Sequence, residues 1–285
     1  MNSIVSFKKR WLNDADGSLT PGSTSKTDSR DEFKMPALFY QNPVLVNSAL
    51  HAEFGLRKLE SVEFARSTNA IPVNFVEFGL AGRNYPIAFT GDDNGMFPAI
   101  IVGLEQTNLF VEKDGQWRKG QYIPAYIRRY PFIFADQSGG SVLSLCVDDV
   151  PGVLDTASDE KLFTDGKPTA SVERALEFCK AYHAAAMDTQ AFTKALVEKD
   201  LLVERQAETQ LNDGSSFMLR GFKTIDEAKL MQLDAETLAD WSKKGWLAAA
   251  YAQILSSFNW ASLLDLMAEK APAAAPAPKS NKKLS

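Results

Sequence analysis

Cysteine and histidine are scarce in this sequence, with two of each in 285 residues. Cys146 and Cys179 each sit in a patterned apolar segment, which predicts a reduced, buried pair rather than a disulfide. His51 and His183 have no His or Cys neighbour at metal-ligand spacing. Cys179 and His183 would share a helical face, but two ligands do not make a zinc site, and no metal or other cofactor is expected. A P-loop, a dinucleotide fingerprint and a G-x-S-x-G elbow are all missing. So is any run of about 18 apolar residues, which argues against a transmembrane helix. The opening MNSIVSFKKRWL has no apolar h-region of a secretory signal. Charge of one sign is lacking too: 36 acidic against 31 basic side chains give a net of -5, no bulk reason to bind nucleic acid or anionic membrane. Together these absences set a cytoplasmic expectation, with the inner face of the envelope as a peripheral site.

What is present is a chain of two grains between polar ends. Residues 1 to 35 read as a flexible arm, dominated from residue 11 by Asp, Gly, Ser, Thr and Lys, and residues 271 to 285 as an extended Ala/Pro tail with a basic end. Between them, one domain is expected over 36 to 270. Its first part, 72 to 150, shows short β-branched and aromatic runs bounded by Gly91, Gly95, Gly115, Gly139 and Gly140. Its second part, 168 to 268, reads in helical steps. Val172, Ala175, Leu176, Cys179, Tyr182 and Ala186 lie on one face, and Asp188 is read as the cap of a second helix. A small hairpin around Asp213-Gly214 interrupts the helical part. The fold class that follows is α+β: an antiparallel sheet-rich N-terminal half packed against a helical C-terminal half, with that hairpin inserted.

The sheet-rich part contains an echo. YPIAF at 85 to 89 returns 45 residues later as YPFIF at 130 to 134, and at the same offset Ile100 matches Leu145 and Val102 matches Val147. Each copy reads as strand, turn, strand, because proline suits the first residue of a strand and forces its predecessor toward extended geometry. Two such hairpins would form one sheet or the lobes of a small barrel. Arg83 and Arg128 precede the two copies equivalently, and Arg129 stands where the first copy has Asn84.

Guanidinium forks bind carboxylate or phosphate, so Arg83, Tyr126, Arg128, Arg129 and Tyr130 are the candidate anion- or partner-binding residues. The competing reading has these arginines covering strand ends, satisfied internally by Glu77, Glu105, Asp136, Asp148 or Asp149. If the extended state begins before Pro131, alternation sends Arg128 inward to a structural role and Arg129 outward to a ligand. Asp148 and Asp149 form an alternative acidic site, since paired carboxylates after a strand can hold Mg²⁺ or divide acid and base work; aspartates also end strands through local hydrogen bonds.

The segments IPVNFVEFGLAGRNYPIAF, YIPAYIRRYPFIF, CVDD, LFTDGKP and GWLAAAYAQILSS resemble the SapC family, named for a gene near bacterial surface-layer secretion genes. The resemblance covers about 38 to 268. It implies a non-catalytic binding or assembly protein of envelope or surface-layer biogenesis, with a protein or peptide partner from that pathway. The alternative it implies, from family genes beside halogenases and oxygenases, is an enzyme or enzyme accessory in peptide or natural-product modification; the residues read above would offer Tyr126, Arg128, Arg129, Asp148 and Asp149 for it. It carries over no catalytic residue.

Overall fold

A computed structural model describes residues 38–91, 95–103, 106–136, 143–210 and 216–270. The arm expected over 1 to 35, the tail from 271, Glu105, Gly139, Gly140 and the Asp213-Gly214 turn lie outside the described residues. In chain order the strands are β1 (Pro43–Leu45), β2 (Gly55–Leu56), β3 (Ala70–Pro72), β4 (Ile87–Thr90), β5 (Phe97–Ile101), β6 (Phe132–Asp136), β7 (Leu143–Asp148), β8 (Leu154–Asp155), β9 (Phe163–Thr164), β10 (Lys167–Pro168), β11 (Leu202–Gln210) and β12 (Ser216–Ile225). The helices are α1 (Ser48–His51), α2 (Phe78–Ala81), α3 (Ala125–Arg128), α4 (Ala170–Glu198), α5 (Glu227–Leu230), α6 (Ala235–Lys243), α7 (Trp246–Ser256) and α8 (Asn259–Lys270). Antiparallel strands packed against C-terminal helices make the fold α+β.

The echo holds at the level of the hairpin and fails at the level of the sheet. Each Tyr-Pro pair does open an antiparallel hairpin, β4–β5 and β6–β7. Yet β6–β7 joins β1 in a three-stranded sheet, whereas β4–β5 lies in a five-stranded sheet of order β11-β12-β4-β5-β3. The single sheet or barrel expected from the repeat is therefore corrected to two sheets. Register explains part of the divergence. Ile87 pairs with Ile100, but its counterpart Phe132 pairs with Val147 rather than with Leu145. A slip of two residues keeps the same side chains facing the core.

The late hairpin has a second role. Inserted in the chain between α4 and α5 as expected, it also joins the larger sheet, since β12 pairs with β4 at Lys223 and Phe89. Beyond that pair the seam is closed by side chains of α7. The Gln253 amide accepts from Ile225 N at 3.0 Å and donates to Ile87 O at 2.9 Å, while Ser256 Oγ accepts from Ile87 N at 2.9 Å. Both residues are fully buried, so these bonds satisfy backbone groups that no strand reaches.

Helix α4 runs unbroken through Asp188, which was expected to cap a second helix. No Gly or Pro interrupts it, and Thr189 and Thr193 return their hydroxyls to the carbonyls of Ala185 and Thr189 within the same helix. An exposed aspartate thus sits on a helix whose buried stripe continues from Val172, Cys179 and Tyr182 to Phe192 and Leu196. That stripe spans two cores. Val172 and Cys179 pack with Phe132, Val147 and Leu162 around the smaller sheet, and Tyr182, Phe192 and Leu196 pack with the larger sheet and the C-terminal helices. Both cysteines are free and buried, as expected.

Candidate functional site

The residues before each Tyr-Pro pair form a one-turn helix and its exit turn, not a strand. Ala125–Arg128 forms a single turn, with Arg129 in αR geometry at its C-cap. Helical spacing replaces alternation and reverses the two arginines. Arg128 is the exposed one; its Nε donates to Ile123 O at 3.0 Å and its guanidinium lies over the rings of Tyr122 and Phe178. Arg129 is buried. A carboxylate explains the turn: Glu77 Oε1 accepts from Ala125 N at 2.7 Å and from Tyr122 Oη at 2.6 Å, satisfying an orphan donor at the start of α3. Of the internal acids proposed for the arginines, Glu77 serves the backbone and Tyr122 instead.

Arg129 sits at the junction of the two cores, where α4 passes from Cys179 to Tyr182. Its guanidinium carbon is 4.1 Å from the Tyr126 ring centroid, 4.5 Å from that of Tyr182 and 5.6 Å from that of Tyr40. Among the described residues it makes no ion pair, and its Nε and the Tyr182 hydroxyl are buried without hydrogen-bond partners. The cation is therefore held by ring faces, whose quadrupoles attract it more strongly once desolvated, and by hydrogen bonds to the Tyr40 and Tyr126 hydroxyls. Burial works against the Arg129 charge, but Tyr126, Tyr182, Tyr40 and Cys179 outweigh it, and its pKa lies above that of an ordinary arginine. Burial pushes the phenols of Tyr40, Tyr126 and Tyr182 well above the tyrosine range, against the pull of Arg129. It likewise pushes the Cys179 thiol up to about 11. A charged guanidinium among neutral phenols and an inert thiol offers neither a nucleophile nor a group that titrates near neutrality.

A strap closes this cluster. Asp148, fully buried at the end of β7, accepts from Gln41 N at 2.9 Å and Asn42 N at 2.7 Å through Oδ1, and from Tyr130 Oη at 2.9 Å through Oδ2. Tyr40 Oη donates to Phe132 O, and Tyr126 Oη to Leu38 O. Phe39 between them adopts φ 82°, a region that non-glycine residues seldom occupy. Asp149, the residue after β7, is exposed. The acidic pair is thus split: one carboxylate is committed to the strap, the other faces outward. Tyr126, Arg129 and Asp148 are buried while Arg128 and Asp149 are exposed, so the five residues of the enzymatic alternative do not share one concave surface. Arg83 is exposed in the turn after α2, apart from the cage. No group of three or more metal-binding side chains occurs among the described residues.

Sequence reasoning named Tyr126, Arg129 and Tyr130 and gave Glu77 the wrong partner, and it missed Tyr40; Tyr40 and Glu77 enter through contacts across 89 and 48 residues. It also missed an apolar surface. Val76 and Leu80 are 61% and 52% exposed, and Leu255 and Phe258 are 60% and 78% exposed. The elements that carry them touch: a Cβ on Gly82 would meet Ala252 O at 3.1 Å, and Asn259 Nδ2 donates to Gly82 O at 2.7 Å. Tyr251, also exposed, extends the face by one turn of α7. Large apolar side chains clustered on a surface in this way mark interaction sites. The spacing of four in Val76 and Leu80, and in Tyr251 and Leu255, is the signal that could have found it.

An α+β protein with a latched arginine–tyrosine cluster and an apolar outer face is the class that these features define. The SapC family model matches residues 46–263, and the chain belongs to the SapC family, whose members are surface-layer-associated bacterial proteins of unknown function. No curated protein and no solved structure matches it. The surface-layer association overturns the cytoplasmic expectation. That expectation rested on a missing leader and unpaired cysteines, which speak to one export route and to thiol chemistry, not to compartment. No helix among the described residues is long and apolar enough to cross a membrane.

Proposed function

We propose that the protein is a binding or assembly component of envelope or surface-layer biogenesis, docking a polypeptide partner on the face of Val76, Leu80, Tyr251, Leu255 and Phe258. The observation that carries this reading is Phe258, 78% exposed beside Leu255 at 60%. Water-exposed apolar area of this kind is costly unless something covers it. Family membership supports a surface-layer setting for the partner, and the sealed Arg129 cluster supports a structural rather than catalytic role for the arginines.

The test is a photo-crosslinking amino acid placed at Phe258 in the living bacterium, with Lys194 on α4 as an exposed control. The reading expects an adduct to a defined envelope or surface-layer polypeptide at 258 only, lost when Leu255→Glu is added. Equal adducts at both positions, or none at 258, would overturn it.

A further inference from the structure

A groove of about 560 Å³ opens between the β11–β12 hairpin and helices α7 and α8. That volume falls within the roughly 300–1,000 Å³ of small-molecule sites. Ala207 and Phe222 of the hairpin form one wall; Ile254, Trp260 and Leu264 of the helices form the other. The Phe222 and Trp260 rings lie 5.4 Å apart with planes inclined by 32°, so the two walls meet in an aromatic contact at the base of the groove.

The hairpin is irregular at this place. Arg205 pairs with Phe222 but Ala207 pairs with Leu219, so Gln206 stands opposite Arg220 and Gly221, and Gly221 takes φ 78°. A bulge bends a strand and re-aims its side chains, and Arg205, Gln206 and Ala207 in succession border the groove. Gln253, the most buried polar residue there, is committed to Ile225 and Ile87 and is not free for a ligand. Arg205 differs. It is exposed, and among the described residues its guanidinium has neither an ion pair nor a hydrogen bond. Glu227, the acidic residue on the rim, does not pair with it and repels an anion from its own end, leaving Arg205 as the place for a negative head.

We propose that this groove binds a single-tailed anionic amphiphile, a fatty-acid-like molecule whose carboxylate pairs with Arg205 and whose tail lies over Phe222, Trp260 and Leu264. The apolar wall supplies the driving force and the guanidinium supplies the head-group preference. The site lies on a different side of α7 from Tyr251, Leu255 and Phe258, so it stands or falls independently of the docking face.

Calorimetric titration of the full chain with dodecanoate, dodecanol and dodecylammonium, each below its micelle concentration, tests it. Dodecanoate is expected to bind saturably, one molecule per chain, and dodecylammonium at least about tenfold more weakly. Arg205→Gln, an exposed substitution, lowers dodecanoate affinity about tenfold and leaves dodecanol unchanged. Ala207→Trp, which fills the groove, abolishes both while the circular dichroism spectrum is retained. Absence of saturable dodecanoate binding, equal affinity for the three head groups, or indifference to Arg205→Gln overturns the proposal. Co-sedimentation with phosphatidylcholine–phosphatidylglycerol vesicles without binding of monomeric dodecanoate also overturns it, in favour of a bilayer surface.

Discussion

Arg129 and Tyr182 meet as cation and ring face, 4.5 Å from guanidinium carbon to ring centroid, with no carboxylate paired to the arginine among the described residues. Removing such an arginine leaves no orphaned anion behind; the loss is packing, ring contact and the hydrogen bonds to the Tyr40 and Tyr126 hydroxyls. Arg129→Ala is therefore expected to destabilise by about 3 to 5 kcal/mol, as a large buried truncation does. Arg129→Met, which keeps the volume, is expected to cost about 1 to 2 kcal/mol. Arg128→Ala, exposed, should stay within about 1 kcal/mol. Urea unfolding of the three variants decides this; equal losses at 128 and 129 would contradict the cage.

Asp148→Asn keeps the shape of the latch and removes its charge. One amide oxygen cannot accept from Gln41, Asn42 and the Tyr130 hydroxyl as well as two carboxylate oxygens do, and charged hydrogen bonds contribute about 1.5 to 3 kcal/mol each. The expected outcome is a loss of about 2 to 4 kcal/mol, with hydrogen exchange at the Gln41 and Asn42 amides accelerated more than at α7. Uniform acceleration would mean that the strap is not a local unit.

Cys179 makes stability depend on alkali. Its thiol is raised by burial from 9.0 to about 11 in the folded protein. Below pH 9 both states keep the proton and the contribution is fully present. Between pH 9 and 11 the unfolded chain loses the proton and the folded one retains it, so stability falls as pH rises. Urea midpoints measured from pH 7 to 11 should decline less steeply in Cys179→Ala than in the parent. Parallel curves would refute the assignment.

We propose that residues 36 to 270 form one cooperative unit, because α4 lines both cores and α7 closes the larger sheet. Thermal unfolding followed by tyrosine–tryptophan fluorescence and by far-ultraviolet circular dichroism should give coincident transitions. Limited proteolysis near residue 165 that released two stable halves would disprove it.

The α+β class, the two Tyr-Pro hairpins and the helical face from Val172 to Ala186 were legible because local periodicity and turn chemistry encode them. LFTDGKP is equally local: Asp165 and Gly166, at φ 51° and 72°, make the two-residue turn of β9–β10. What was illegible depended on distant partners. Residues 125 to 128 turn helical because Glu77 caps them, which no window around Arg128 contains. Asp188 resembles a cap, yet nothing beside it breaks the helix. The partition into two sheets depends on β1 and β12, which pair across about a hundred residues and more.

Gln253 and Ser256 impose an order on biosynthesis. Ile87 leaves the ribosome 166 residues before Gln253 and 169 before Ser256, yet its carbonyl and amide find their native partners only there. At about 5 to 20 residues per second the first sheet strands wait roughly ten seconds or more with that edge unsatisfied. An unfinished β4 edge is a template for wrong pairing during this interval. The nascent chain is thus most exposed to misassembly while most of its strands already exist, and the helix that ends the danger is among the last to emerge.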